Sequence, residues 1–404
     1  MQVRLASELL ENRFGKRLGF ADDGVVFLDP AVGTGTYPVA AVKHGLEKVR
    51  NRFGSGAVPA RARQMAENMH GFEVLVGPYA VAHLRLTQAL EGAINDAKAA
   101  GEPEEKLGQR LNIYLADTLE SPNAAPPGGL TLTYRALTEE HETARKVKQG
   151  GDILVCLGNP PYDRQTIEEG DTTTQRKGGW VRFGDQVRGA AKAEEQGDRA
   201  IFRDFTEPAT KAGAGVHLKN LYNDYVYFWR WALWRLFEQQ TCGGVVTFIT
   251  ASSYLAGPGF VGVREVMRRT FDELWIIDLG GDNLGTRKTP NVFNIRTPVA
   301  IAIGVSAVTV YVRDLRSGMP LIMQLGLFLT PILYPISQVP ARFRTITMVV
   351  NPIAGVVEGL RSCLFYDRAP DLQYTVIAAA ASVVYLIGAF LLFKRLETGF
   401  ADVS

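Results

Sequence analysis

The chain has 404 residues, 46% of them hydrophobic, and a formal net charge of +2. At roughly 100 to 200 residues per domain it is long enough for two or more cores. Residues 306–404 hold eight basic and six acidic residues against 36 of each upstream, so the first part has no global excess of positive charge with which to attract nucleic-acid phosphates. Cys156, Cys242 and Cys363 lie far apart and fit neither a disulfide framework nor a zinc site; no metal is expected, and a reducing compartment follows. The charged start, MQVRLASELLENRFGKRLGF, has no apolar run of signal-peptide length, which assigns this part to the cytoplasm.

Between residue 25 and about residue 305, apolar runs alternate with longer helical stretches, the pattern of a parallel sheet covered by helices. Strands are predicted at 25–28, 71–75, 111–115, 152–157, 245–250, 274–279 and 297–305, seven in all. Residues 163–218 interrupt the rhythm with Gly, Thr, Gln and charged residues, too long and polar for an ordinary connection, and are expected to form a mobile loop or lid. Residues 217–238 carry aromatics and Leu at helical spacing, which predicts a core helix rather than a base-stacking surface. Beyond 306 the pattern changes. Residues 319–339 run for 21 positions and 374–393 for 20 without an acidic or basic side chain, each close to the ~20 needed to cross a bilayer as a helix. Both lack the polar face of a buried soluble helix, which predicts two spans. Arg313 and Arg316 before the first and Lys394 and Arg395 after the second orient both ends toward the cytoplasm, with the spans in the plasma membrane.

The chemistry concentrates at strand ends. The turn Asp29-Pro30-Ala31-Val32-Gly33-Thr34-Gly35 joins a strand to a helix, where glycines let the backbone approach a ligand closely. Glu73 ends the next strand, where a doubly wound sheet sets a carboxylate against ribose hydroxyls. Asp117 ends the third, suitably placed to meet an adenine amino group. Singly, either acid could be a solvated strand-end charge; in ordered spacing with the glycine turn they predict a nucleoside cofactor. Asn159-Pro160-Pro161-Tyr162 follows the fourth strand. Its prolines fix an extended turn and leave the Pro160 carbonyl free to accept, with the Asn159 side chain as a second acceptor. Two acceptors on one amino group would aim its lone pair at the methyl carbon of a sulfonium donor, while Tyr162 stacks on a planar base.

These residues resemble the amino-methyltransferases, and specifically the adenine-N6 DNA methyltransferases of restriction–modification systems, over about residues 7–305. The resemblance implies a Rossmann-like α/β sheet of seven strands, with S-adenosylmethionine as cofactor and DNA as substrate. Asp29, Ala31, Gly33 and Gly35 then belong to the cofactor loop, Glu73 to the ribose contact and Asp117 to the adenine contact, with Asn159, Pro160 and Tyr162 catalytic. The stretches LKNLYNDYVYFWRWALWRLFE and TFITASSYLAGPGFVGVREVMRR look like type ISP and related single-chain enzymes, and Phe293 sits where that family often has an aromatic near the flipped adenine. The family's N-terminal cofactor-contacting helix would lie upstream of residue 1, and its target-recognition domain would follow the seventh strand, where this sequence departs from the family's pattern.

Residues 307–404 are similar to something else. Val312-Arg313-Asp314-Leu315-Arg316, Thr330-Pro331-Ile332-Leu333-Tyr334-Pro335, Asn351-Pro352, and the closing Phe393-Lys394-Arg395-Leu396-Glu397 and Phe400-Ala401-Asp402 look like the C-terminal part of an ABC-2 type permease. That resemblance implies export of polysaccharide or a related glycan and an ATP-binding subunit as partner, since no P-loop occurs in the chain. Asn351-Pro352 and Gly355 would fit re-entrant helices between the spans. The expectation is thus a methyltransferase domain, 1–305, joined to a two-span membrane fragment, 306–404, as in a fusion of two incomplete genes. Methylation of RNA or of a protein glutamine, and a glycan-export permease whose N-terminus is incidental, are the alternatives.

Overall fold

The computed structural model of the chain describes residues 1–98, 103–124, 135–162, 178–185, 200–240, 242–281, 291–293, 297–306 and 335–401. The chain divides into two compact units, Met1–Val310 and Tyr311–Ser404.

Seven strands form the sheet of the first unit: β1 (Phe27–Asp29), β2 (Met69–Glu73), β3 (Asn112–Leu115), β4 (Val155–Gly158), β5 (Gly244–Ala251), β6 (Glu273–Asp278) and β7 (Val299–Ser306). Their order is β3-β2-β1-β4-β5-β7-β6. The pairs among β1 to β5 are parallel, and β7 runs antiparallel between β5 and β6. All seven lie at the expected places, displaced by at most a few residues. The direction of strand order reverses between β1 and β4, and the carboxyl ends of these two neighbours therefore border the crevice in which such sheets hold ligands.

Side chains alternate between two cores, as period two demands. Phe27, Val155 and Val245 join one face with α1 (Gln2–Phe14), α2 (Thr36–Phe53), α3 (Val58–Asn68) and α4 (Val76–Asn95). Leu28, Cys156 and Val246 join the other with α5 (Arg135–Gln149), α6 (Gly179–Phe183), α7 (Arg203–Lys211), α8 (Asp224–Phe237) and α9 (Val261–Thr270). Helix α8 is the predicted core helix, buried at every residue from Tyr225 to Phe237. Even its arginines are spoken for: Arg235 donates to the carbonyls of Val147, Gly150 and Gly151, and Arg230 to Asp204 and Glu238. This is how long cationic side chains survive inside a core.

The expected lid, 163–218, is corrected in part. Helices α6 and α7 and the 3-10 turn Gly215–Asn220 occupy its described portion, and Trp180, Val181, Phe202, Phe205 and Ala209 are buried. Sparse apolar residues at helical spacing anchor this stretch, which belongs to the core; residues 163–177 and 186–199 lie outside the described residues.

The second unit contains α10 (Ala341–Val350), α11 (Ile353–Phe365) and α12 (Leu372–Ala401). Ile336, Met348 and Ala354 form a small core. A Cβ on Gly355 would stand 2.4 Å from that of Ala378, so glycine is what lets α11 approach α12 this closely. Many apolar side chains face outward, among them Ile353, Val356, Leu360, Leu364 and Val384. No single helix among the described residues is long and apolar enough to cross a membrane, but α10 and α11, bent by 115° at Asn351-Pro352, have the length and composition of a span together. Of the two expected spans, 319–339 lies outside the described residues as far as 334 and then forms the turn Ile336–Gln338. The other, 374–393, falls within α12, apolar along Leu372–Gly388.

Candidate functional site

The turn after β1 is held from three sides. Glycine is required at two points, Gly33 at φ +54° and Gly35 at φ +78°, and a Cβ on Gly35 would also lie 3.1 Å from the backbone of Ala82 in α4. The Val32 amide donates to the Phe72 carbonyl at 2.9 Å. Glu73, at the end of β2, accepts from the Gly33 amide on Oε2 at 2.9 Å and from the Val74 and Leu75 amides on Oε1 at 2.9 and 2.8 Å. A carboxylate offers about four acceptor positions, so three are taken and one is left for a ligand hydroxyl. Asp29 is wholly buried; its Oδ1 accepts from the Ala31 amide at 3.0 Å, while Oδ2 has no hydrogen-bond partner among the described residues. Burial pushes its carboxyl up to about 8, with the Glu73 charge adding to the shift and the Ala31 amide opposing it.

Asp117 lies one strand further out. Its Oδ1 caps the Leu119 amide at 2.9 Å, and its carbonyl accepts from the buried Lys148 ammonium at 2.6 Å. The Thr118 hydroxyl donates a hydrogen bond to the Pro30 carbonyl. The loop carrying Asp117 is thereby tied directly to the glycine turn.

The catalytic candidates follow β4. Asn159 is half-buried, Pro160 buried and Pro161 exposed. The Tyr162 hydroxyl lies 2.5 Å from Asn159 Oδ1 and 2.9 Å from the Ile249 carbonyl, so its one proton is shared between two acceptors. Burial raises the Tyr162 pKa, which keeps the hydroxyl a donor. Phe293 has its ring centroid 6.3 Å from that of Tyr162 and remains 38% exposed. Two partly accessible rings thus stand beside the acceptor turn. The joint between the two turns is close: a Cβ on Gly158 would come within 2.8 Å of Asp29 Oδ1.

Sequence reasoning missed the residues that hold these groups. Asn223, at the N-cap of α8, donates from Nδ2 to the Tyr162 carbonyl at 3.4 Å. Asn291 donates to the Gly281 and Thr297 carbonyls at 3.0 and 2.8 Å and accepts from the Phe293 amide at 2.9 Å, which fixes the turn presenting that ring. Their signal was present, an Asn before a helix start and an Asn two residues before the aromatic. A cleft of about 590 Å³ is lined by residues including Gln2, Tyr37, Ile249, Val292 and Thr36, the first residue after the glycine turn. Among the described residues no cluster of His, Cys, Asp or Glu could hold a metal ion.

The donor set suits a nucleoside cofactor with a positive centre. Gly33 and Gly35 need left-handed backbone, and among the described residues one acceptor position of Glu73 is free and Asp29 Oδ2 has no partner.

No protein-family model matches the chain. Among solved structures it is similar to the ATP-dependent Type ISP restriction–modification enzyme LlaBIII bound to DNA, at 22% identity and a TM-score of 0.57, over 76% of this chain and 18% of that one. A nuclease-deletion mutant of the Type ISP enzyme LlaGI with a DNA substrate mimic gives 22%, 0.56, 76% and 22% on the same measures. The DrdV–DNA complex gives 25%, 0.52, 76% and 25%. A curated protein, the O-antigen export system permease protein RfbA of Myxococcus xanthus, is 29% identical over 105 residues, 26% of this chain and 40% of the permease. The chain thus spans a quarter or less of these solved enzymes and two fifths of the permease. Over most of its length it has the fold found in part of the Type ISP restriction–modification enzymes, and over a smaller part it is similar in sequence to an O-antigen permease.

Proposed function

We propose that residues 1–305 form an S-adenosylmethionine-dependent methyltransferase that modifies adenine N6 in DNA as part of a restriction–modification system. The observation that carries the reading is the juxtaposition of two turns on neighbouring strand ends, one built of glycines and carboxylates, the other of Asn159, Pro160 and Tyr162 with Phe293 at 6.3 Å from the tyrosine. The cofactor, when bound, supplies the electrophilic methyl group. Asn159 Oδ1 and the Pro160 carbonyl accept the two protons of an exocyclic amino group, which turns its lone pair toward that methyl. The Asn159 oxygen already bonded to Tyr162 has a second lone pair for this task. Tyr162 and Phe293 grip a planar base that has left its stack. Gly33, Glu73 and Asp117 would hold the nucleoside end of the cofactor, and the buried Asp29 carboxyl would act on its positive charge.

DNA is favoured over RNA or a protein glutamine by the three neighbours of the same fold, each solved with DNA or a DNA substrate mimic. The test is transfer of a labelled methyl group from S-adenosylmethionine to duplex DNA, RNA and protein acceptors, followed by nucleoside analysis. N6-methyladenine in DNA is expected; label on RNA or glutamine alone would refute the assignment.

A second reading concerns residues 306–404, which we propose form a permease-like membrane fragment with spans at 319–339 and 374–393. What favours it is the helix pair bent at Asn351-Pro352, a broken span or re-entrant hairpin, together with the outward-facing apolar side chains of α11 and α12. On this reading the first domain is cytoplasmic, and an ATP-binding subunit would come from another chain. Flotation of the chain with liposomes that resists carbonate is expected; recovery in the soluble fraction would refute it.

A further inference from the structure

Asp29 ends β1 with no exposed surface, where the glycine turn comes close to the end of β4 that leads into the Asn159 turn. One carboxyl oxygen is held by the Ala31 amide and the other is enclosed without a partner among the described residues. An unsatisfied buried oxygen costs free energy unless a proton, donor or cation meets it. The titratable groups acting on it from neighbouring elements are Glu73 of β2, Tyr37 of α2 and Cys156 of β4. Glu73 repels a second negative charge, and burial holds the Tyr37 hydroxyl and the Cys156 thiol in their neutral forms. None of the three is a cation. Empty, the site therefore favours a protonated Asp29 up to about pH 8.

The reading proposed above, on which this inference rests, brings two ligands to the adjoining turn in each cycle. They share an adenosine, an ammonium and a carboxylate, and they differ in one methyl group and the positive charge it confers on sulfur. We propose that Asp29 selects the cationic methyl donor over its neutral thioether product, giving up a proton when the donor is seated and regaining one when the product remains. The step balances. Asp29 releases one proton to solvent as the donor enters; methylation of the amino group sheds one proton to solvent; and Asp29 takes one back once the positive charge on sulfur is gone. Near neutral pH the carboxyl thus rebinds the proton that the reaction makes, and the product loses the attraction that held the donor.

The test is calorimetry on the whole chain with S-adenosylmethionine and S-adenosylhomocysteine, each in phosphate and in Tris at pH 7. An opposite charge close by lowers a carboxyl by about two units, so about 0.8 proton should be released with the donor and below ~0.2 with the product. Asp29→Asn keeps the Ala31 bond but cannot ionise. It should abolish the release and lower the donor-to-product affinity ratio by tenfold or more, the equivalent of one unit. In the parent, that ratio should rise about tenfold per pH unit between roughly pH 6 and 8 and level off above; this series stands even where the variant does not fold. Equal release for both ligands, or a ratio flat with pH, overturns the inference while leaving the methyltransferase reading intact. A folded chain that binds neither ligand overturns both.

Discussion

Replacing Glu73 by Gln changes one atom and should uncouple the glycine turn from β2. Three backbone amides converge on this carboxylate, two on Oε1 and one on Oε2. A glutamine side chain has one acceptor atom and one donor group. The carbonyl oxygen will stay with the Val74 and Leu75 amides, because they are two and adjacent in sequence, which leaves the NH2 group facing the Gly33 N–H, donor against donor. A hydrogen bond to a charged acceptor contributes about 1.5–3 kcal/mol, and Glu73 is only half-buried, so the low end applies. A loss of about 2 kcal/mol corresponds to roughly 30-fold in affinity if the turn must be in place to bind. Calorimetric titration with S-adenosylmethionine reads the affinity, and thermal melting reads the fold. Glu73→Asp separates charge from reach: it keeps the charge but is a methylene short of Gly33, and it should weaken binding as much as Gln does. Affinities of both variants within about threefold of the parent would refute the argument.

Other expectations follow from single contacts. Asn159→Ala should lower methyl transfer by roughly 10²-fold or more, the cost of one oriented acceptor, with cofactor affinity within about twofold; equal turnover would make this turn structural. Tyr162→Phe keeps the ring beside Phe293 but leaves the Ile249 carbonyl and Asn159 Oδ1 without their donor. It should cost about 1–2 kcal/mol of stability and lower kcat more than it changes cofactor affinity, as denaturant melts and steady-state kinetics will report. Asp29 carries a carboxyl raised on folding to about 8, so its contribution to stability is complete below the unfolded value near 4 and is lost as pH rises through 8. The melting temperature of the cofactor-free chain should therefore fall between pH 5 and 8, and that fall should shrink in Asp29→Asn.

What could be read from the sequence were the strands and the residues at their carboxyl ends, for a physical reason. Buried parallel strands are short apolar runs closed by turn residues, and Asp29, Asp117 and Asn159 each lie within two residues after such a run, with Glu73 inside the predicted one. Strand order was not legible, because pairing partners are set by crossovers that leave no local pattern. Neither was the placing of Phe293 against Tyr162, 131 positions away. The stretch 163–218 misled because its polar composition masked Trp180, Phe202 and Phe205, three aromatics whose burial suffices to pin two short helices. The tail was legible in part: the apolar run 374–393 falls within α12, and Asn351-Pro352, which fitted a re-entrant helix by sequence, bends the chain by 115° between α10 and α11.

Gly158 tests whether the cofactor and catalytic turns act as one unit. Glycine is absent from most buried strand positions because it weakens them, yet β4 ends on one. The reason is the neighbour: a Cβ there would lie 2.8 Å from Asp29 Oδ1 and 3.4 Å from Pro30 Cδ, and Asp29 cannot retreat, since it is wholly buried and bonded to the Ala31 amide. Gly158→Ala must therefore move one of two things. If Asp29 gives way, the Ala31 bond breaks and the glycine turn loosens; if β4 gives way, Asn159 shifts from its place against Tyr162. A shift of a few tenths of an ångström in either costs catalytic alignment. Gly158→Ala should accordingly lower both cofactor affinity and methyl-transfer rate, about tenfold each, where Glu73→Gln acts on binding first and Asn159→Ala on rate alone. Calorimetry and single-turnover kinetics on the three variants distinguish these patterns. A Gly158→Ala protein with parental affinity and parental rate would mean that the two turns only happen to be neighbours.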